Sequence, residues 1–178
     1  MDQHQIFDRN LLRQRRLRAL RQHGKTGDFL LARAADDLEE RLSAVERRFD
    51  VAVDLASHTG LAAEAINRSG KADMIIRVEQ DPSFLQTAFP AVVADEEILP
   101  LKPSSIGLIV SLLSLHLTND TPGTLLQIRR ALKPDGLFLG AMAGEATLSE
   151  LREVFVATET EISGGVSPVL HLLPMCGT

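Results

Sequence analysis

Asp54, Glu79, Asp95, Glu96 and Ser111 have the types and spacing to hold a polar small molecule, because each ends or follows a short apolar run: 51-VAVDL-55, 74-MIIRV-78, 91-AVVA-94 and 106-IGLIVS-111. A carboxylate offers two oxygens and accepts two hydroxyl donors at once. Glu79 stands nineteen residues after Gly60, close to the spacing at which an acidic residue accepts hydrogen bonds from both ribose hydroxyls of a nucleoside. Taken singly, Glu79 reads equally well as a surface charge, and Asp95-Glu96-Glu97 as a solvated acidic loop. Four polar residues at four successive strand ends favour a site.

The elements that must position these residues follow from periodicity. In 51-VAVDLASHTGLAAEAI-66 an apolar strand leads through Asp54 and a turn closed by Gly60 into an alanine-rich helix. Leu31, Ala35, Leu38, Leu42, Val45 and Phe49 recur at helical spacing and predict an amphipathic helix over 29–49. Strands are expected at 51–55, 74–78, 91–94, 106–111 and 137–142, apolar as strands buried on both faces are. Between them a helix over 61–68 ends at Gly70, Pro82 starts a short helix, and Thr121-Pro122 open a helix that ends near 133-KPDG-136. A last helix runs from about Thr147 to Thr158. Strands alternating with helices specify an α/β fold with a doubly wound, mostly parallel sheet, in which ligands bind beyond the carboxyl ends of the strands.

Composition bounds the rest. The chain has 178 residues, 44% hydrophobic and 24% charged, enough for one globular domain. A single cysteine, Cys176, excludes an intrachain disulfide framework and a cysteine-based zinc site, and gives a reducing, cytoplasmic setting as the default. The longest nearly apolar run, 106-IGLIVSLLSLHL-117, is too short to span a bilayer. Residues 1–26 carry seven Lys/Arg against Asp2 and Asp8, or +5, so the remainder carries -10 of the net -5. No aromatic residues interleave with these arginines to stack bases, so nucleic acid is not the expected partner. The reading preferred is a basic arm, residues 1–28, whose helix lies against its own acidic body, residues 29–178. A second placement has an arginine of the arm reaching over the site to pair with a carboxylate.

Several stretches carry a resemblance: 7-FDRNLLRQRR-16, 94-ADEEILPLK-102, 110-VSLLSLHLTND-120, 128-IRRALKPDGLFLGAM-142, 147-TLSELRE-153 and 164-GGVSP-168. On these the chain resembles the class I S-adenosylmethionine-dependent methyltransferases, and among them the subgroup containing a mitochondrial complex I assembly factor that acts as a protein-arginine hydroxylase. The resemblance implies a Rossmann-like methyltransferase fold and S-adenosylmethionine as cofactor. The turn from Asp54 through Ala56 to Gly60 would lie beneath the methionine moiety. Glu79 would hold the ribose, Asp95 the adenine amino group and the backbone of Glu96 the adenine edge, while Ser111 would border the methyl group. His116 stands where related methyltransferases commonly carry a histidine, which makes it the candidate acid/base or acceptor contact. A buried histidine satisfied by backbone is the alternative. The acceptor is not legible. Protein-arginine hydroxylation, or a non-catalytic assembly role with a protein partner, are the other activities the resemblance implies. No metal-ligand motif is seen.

Two departures stand out. The family's first turn reads Asp-Leu-Gly-Cys-Gly-x-Gly, and here Ala56 and His58 replace the first two glycines. A methyl group at 56 and an imidazole at 58 narrow the methionine half, so the nucleoside half is expected to be the better preserved; His58 capping the next helix is an alternative. The family's two further C-terminal strands also have no counterpart after Met142. Strand 137–142 is therefore expected to expose an edge that the segment after Gly164, a homodimer partner or a further portion of the chain would cover.

Overall fold

The computed structural model describes residues 5–86, 88–144, 147 and 149–164. They divide into two units, residues 1–141 and 142–178. The first holds α1 (Arg9–His23), α2 (Phe29–Ser43), β1 (Phe49–Leu55), α3 (Leu61–Ser69), β2 (Ala72–Glu79), β3 (Ala91–Val93), β4 (Ile106–Leu112), α4 (Thr121–Ala131) and β5 (Leu132–Ala141). The second holds α5 (Ser149–Ser163). Of 164-GGVSP-168 only Gly164 falls within the described residues, and Cys176 lies outside them.

The sheet is parallel throughout, in the order β3-β2-β1-β4-β5. The chain winds outward from β1 to β3, then returns to place β4 on the other side of β1. Strand order reverses between β1 and β4, which opens the crevice where such sheets bind ligands. Alternate residues feed two cores. Ala52, Ile75, Leu108 and Val110 pack under α2 and α3, while Val53, Val78 and Ile109 pack with Ile128 and Ala131 of α4. Burial on both faces explains why these strands read as apolar runs.

Most expected elements are present, and four boundaries are corrected. Helix α2 stops at Ser43, and Phe49 opens β1, its amide donating to Lys71 O at 2.7 Å. Helical spacing at Phe49 was a coincidence of periods, since residues 44–48 reverse the chain. Helix α4 is capped by Asp120, whose carboxylate accepts from Gly123 N at 2.8 Å, rather than by Thr121, whose hydroxyl bonds Thr118. That helix ends at Ala131, and β5 starts at once: Leu132 pairs with Ile106 and Leu137 with Leu108, so 133-KPDG-136 forms a bulge within the strand instead of a loop before it. The last helix spans Ser149–Ser163, not 147–158.

Helix α1 contributes no buried residue to either core. Its attachment is polar. Phe7 N donates to Asn119 Oδ1 at 2.8 Å, Arg9 reaches Asp95 and Glu96 at 2.8 Å each, and Arg13 reaches Asp81 at 3.3 Å. The arm is thus a basic helix on an acidic body, and its arginines do pair with the carboxylates at the strand ends.

Candidate functional site

The turn after β1 holds left-handed backbone at two residues that are not glycine. Ala56 and His58 hold left-handed backbone, φ 54° and 57°, and Gly60 holds φ 89°. An L-residue pays about 1–2 kcal/mol for that conformation, so neighbouring structure must impose it. Leu113, just beyond β4, is held likewise at φ 56°. Strain at the ends of two adjacent strands marks the crevice.

Much of what imposes it is Arg77, a residue the sequence reading passed over. Its side chain is fully buried in β2. Nε donates to Asp54 Oδ2 at 3.1 Å, Nη1 to Phe84 O at 2.6 Å and Nη2 to His58 O, which pins the turn from below. Nη2 also lies 3.5 Å from Glu79 Oε1. Ala56 N donates to Val78 O at 2.8 Å, and Ser57 Oγ accepts from Leu112 N at 3.1 Å, tying the turn to β2 and β4. The signal was legible: one arginine inside 74-MIIRVE-79 has to find buried partners.

Glu79 ends β2 and is 2% exposed. Burial, reinforced by the charge of Asp54 and opposed by Arg77 and Arg16, raises its carboxyl well above the ordinary range. Burial likewise raises Asp54. Glu79 Oε1, Asp54 Oδ1 and Ser111 Oγ are buried and have no hydrogen-bond partner. Glu96 is buried too, its carboxylate accepting from Gln80 Nε2 at 2.6 Å and pairing with Arg9, whereas Asp95 stays partly exposed.

His58 packs its ring edge-on against Phe84, centroids 5.7 Å apart, and does not cap α3, whose N-cap is Gly60. Burial, aided by Arg16 and Arg77, pushes its imidazole down to about 3. His116 sits in a short 3-10 turn, Leu115–Leu117. Burial and then Arg16 lower its pKa, and its Nδ1 is buried without a partner, so backbone does not satisfy that nitrogen. A cleft of about 190 Å³ opens beside the turn, lined by Arg16, Asp28, His58, Thr59 and Phe84 among others. Asp54, Glu79, Glu96, Ser111 and the turn from Ala56 to Gly60 are thereby brought to one edge of the sheet, with α1 across it. Among the described residues no three His, Cys, Asp or Glu side chains group as a metal site, and no helix is long and apolar enough to cross a membrane.

A parallel sheet with a strand-order reversal, a tight turn after β1 and an acidic residue closing β2 make a Rossmann-like ligand-binding edge, and the family model described as a methyltransferase domain matches residues 53–140. Over that segment, just under half of its length, the chain is similar to the methyltransferase-domain family. It is also similar to the arginine-hydroxylase NDUFAF5, mitochondrial, of Homo sapiens, 41% identical over 175 residues, which are 95% of this chain and 50% of that protein. The Danio rerio protein of the same name is 35% identical, over 95% of this chain and 54% of its own length. The chain thus spans about half the length of these curated relatives. A malonyl-[acyl-carrier protein] O-methyltransferase of Xylella fastidiosa is 29% identical over 136 residues, 71% of this chain and 45% of that one. Among solved structures, phosphoethanolamine N-methyltransferase 1 of Haemonchus contortus, in complex with phosphoethanolamine and S-adenosylhomocysteine, shares the fold with TM-score 0.61 at 16% identity, over 78% of this chain and 33% of that one.

Proposed function

We propose that this chain binds S-adenosylmethionine at the carboxyl edge of its sheet and serves as an S-adenosylmethionine-dependent methyltransferase-like protein. The observation that carries the reading is the set of buried oxygens of Glu79, Asp54 and Ser111 at adjoining strand ends that accept no hydrogen bond, Glu79 Oε1 having only the ion-pair contact to Arg77. Buried polar groups without partners are uncommon, and a polar ligand supplies the missing donors. Glu79 Oε1 accepts from the ribose hydroxyls, Asp95 and the backbone of Glu96 take the adenine edge, and the turn from Ala56 to Gly60 lies under the methionine moiety. Ser111 borders the sulfonium, with His116 facing the acceptor; its free Nδ1 and lowered pKa keep it neutral and able to accept a proton or a hydrogen bond. The cofactor, when bound, supplies an electrophilic methyl group. The chain's own contribution is orientation, since proximity accounts for much of such a transfer.

In this reading residues 29–178 carry the site and the arm, residues 1–28, completes it. The single cysteine favours a reducing, cytoplasmic compartment, whereas the relatives at 35–41% identity are named as mitochondrial. Arginine hydroxylation of a protein substrate is the second reading, favoured by those same relatives, and a protein partner follows from that second reading. Saturation-transfer NMR with S-adenosylmethionine tests the proposal. Ribose and adenine protons saturate in the native protein and lose saturation in Glu79→Ala; equal saturation in both proteins removes Glu79 from the site.

A further inference from the structure

Arg9 opens α1, and only 14% of its side chain is exposed. Nη2 lies 2.8 Å from Asp95 Oδ1 and 2.8 Å from Glu96 Oε1, and Nη1 donates to Leu117 O at 3.3 Å. Nε is buried without a partner, so the two terminal nitrogens alone hold the guanidinium. The backbone from which it projects is fixed on both sides. Phe7 exchanges two hydrogen bonds with the side chain of Asn119, and Asp8 caps the helix by accepting from Leu11 N at 2.9 Å.

The two carboxylates that Arg9 meets differ. Glu96 is buried and fully engaged: Oε2 accepts from Gln80 Nε2 at 2.6 Å, and Oε1 accepts from Ser114 Oγ at 3.4 Å besides pairing with Arg9. Asp95 is engaged at one oxygen. Arg9 Nη2 and the amide of Glu97, at 2.9 Å, both donate to Oδ1, and 41% of the side chain stays exposed. Held from two directions at Oδ1, the carboxylate has a set orientation and keeps the acceptor capacity of Oδ2. A side chain ordered in advance loses no rotamer entropy when a ligand arrives.

Resting on the nucleoside reading above, we propose that Arg9 is a positioning residue for base recognition: it aims Asp95 Oδ2 at the 6-amino group of the purine, and it clasps the loop that reads the base to the turn that carries His116. The arm thereby sets selectivity for 6-aminopurines through a residue that does not itself touch the ligand. A strap that merely held α1 in place would change the affinity of every nucleoside alike.

The test is titration calorimetry of adenosine and of purine riboside, which lacks only the 6-amino group, into the native protein, Arg9→Gln, Asp95→Ala and the double variant, with a thermal melt of each. The native protein is expected to prefer adenosine by about tenfold, as one charge-assisted hydrogen bond implies. Each single variant brings that ratio close to one while purine riboside binds as before, and the double variant goes no lower, because Arg9 acts through Asp95. Arg9→Lys keeps a positive charge beside buried Glu96 and serves where Arg9→Gln does not fold. Its single ammonium does not replace the fork between Asp95 and Leu117 O, so the ratio falls there too. A native ratio kept by a folded Arg9 variant while Asp95→Ala loses it, or equal weakening of both nucleosides by Arg9→Gln, overturns the proposal and leaves the nucleoside reading intact. A native ratio near one, or one that survives Asp95→Ala, removes Asp95 from base recognition and the proposal with it. Failure of both nucleosides on the folded native protein overturns the nucleoside reading as well.

Discussion

Replacing Arg77 with methionine removes the charge that β2 buries while keeping the length of the stem. The guanidinium is fully buried against Asp54 at 3.1 Å and Glu79 at 3.5 Å, and it satisfies the carbonyls of Phe84 and His58. Removing one partner of a buried ion pair costs about 3–5 kcal/mol, because the charge left behind has no compensation. Two freed carbonyls would add to this, but water entry and proton uptake by the carboxylates offset the addition, so about 3–5 kcal/mol is the expected loss near neutral pH. Against the roughly 5–15 kcal/mol of a typical domain that is a large share. The loss depends on pH with a definite sign. Burial already raises the pKa values of Asp54 and Glu79, and losing Arg77 raises both further. A carboxyl raised in the folded state contributes stability below its unfolded pKa and loses it as pH rises through the folded value. Arg77→Met should therefore be mildest in acid and worst in base. His58, depressed to about 3, runs the other way, losing stability as pH falls below its unfolded value. It is present in both proteins and largely cancels from the difference. Urea unfolding followed by circular dichroism at about pH 5 and about pH 8 measures the two losses by linear extrapolation. Equal losses at the two pH values, or a loss below about 1 kcal/mol at the higher one, would refute the assignment of Arg77 as counter-ion to this pair.

Glu79→Gln should raise the urea midpoint at alkaline pH and leave it unchanged in acid, since the native carboxyl is destabilising only when ionised; a fall at both would show the charge to be structural. Ala56→Gly relieves left-handed strain of about 1–2 kcal/mol against about 0.4–1 kcal/mol of added unfolded-state entropy, a net gain of about 0–1.6 kcal/mol read from the same urea curves. The double change Ala56→Gly, His58→Gly should also tighten S-adenosylhomocysteine about tenfold, and no change in a folded protein would mean that neither side chain borders the ligand. Arg9→Ala breaks the contacts to Asp95, Glu96 and Leu117 O and should speed amide exchange in α1 while the sheet amides keep their rates; acceleration throughout would make the arm part of the folding core.

The sheet was legible because parallel strands covered on both faces leave apolar runs that few other elements imitate. Boundaries failed where two signals overlapped. Phe49 fits the α2 period yet begins β1, and 133-KPDG-136 carries turn residues that the chain spends on a bulge. The strand-end carboxylates could be listed from the sequence because topology alone carries them to one edge. Their partners could not. Arg9 meets Asp95 across 86 residues, a pairing that no local spacing encodes. Arg77 was visible as a charge in an apolar strand, but its hold on the turn through His58 O is a backbone contact without a sequence signature. The same holds for Ala56 and His58: the substitutions were plain, whereas the retained left-handed backbone beneath them depends on tertiary structure.

The central claim is that Glu79 anchors a nucleoside at the edge of this sheet. Titration calorimetry of S-adenosylhomocysteine into the native protein and Glu79→Ala tests it most directly. The account predicts saturable one-to-one binding to the native chain and a loss of about 1–3 kcal/mol in the variant, the cost of leaving ribose hydroxyls unpaired. Native affinity retained by folded Glu79→Ala would contradict it.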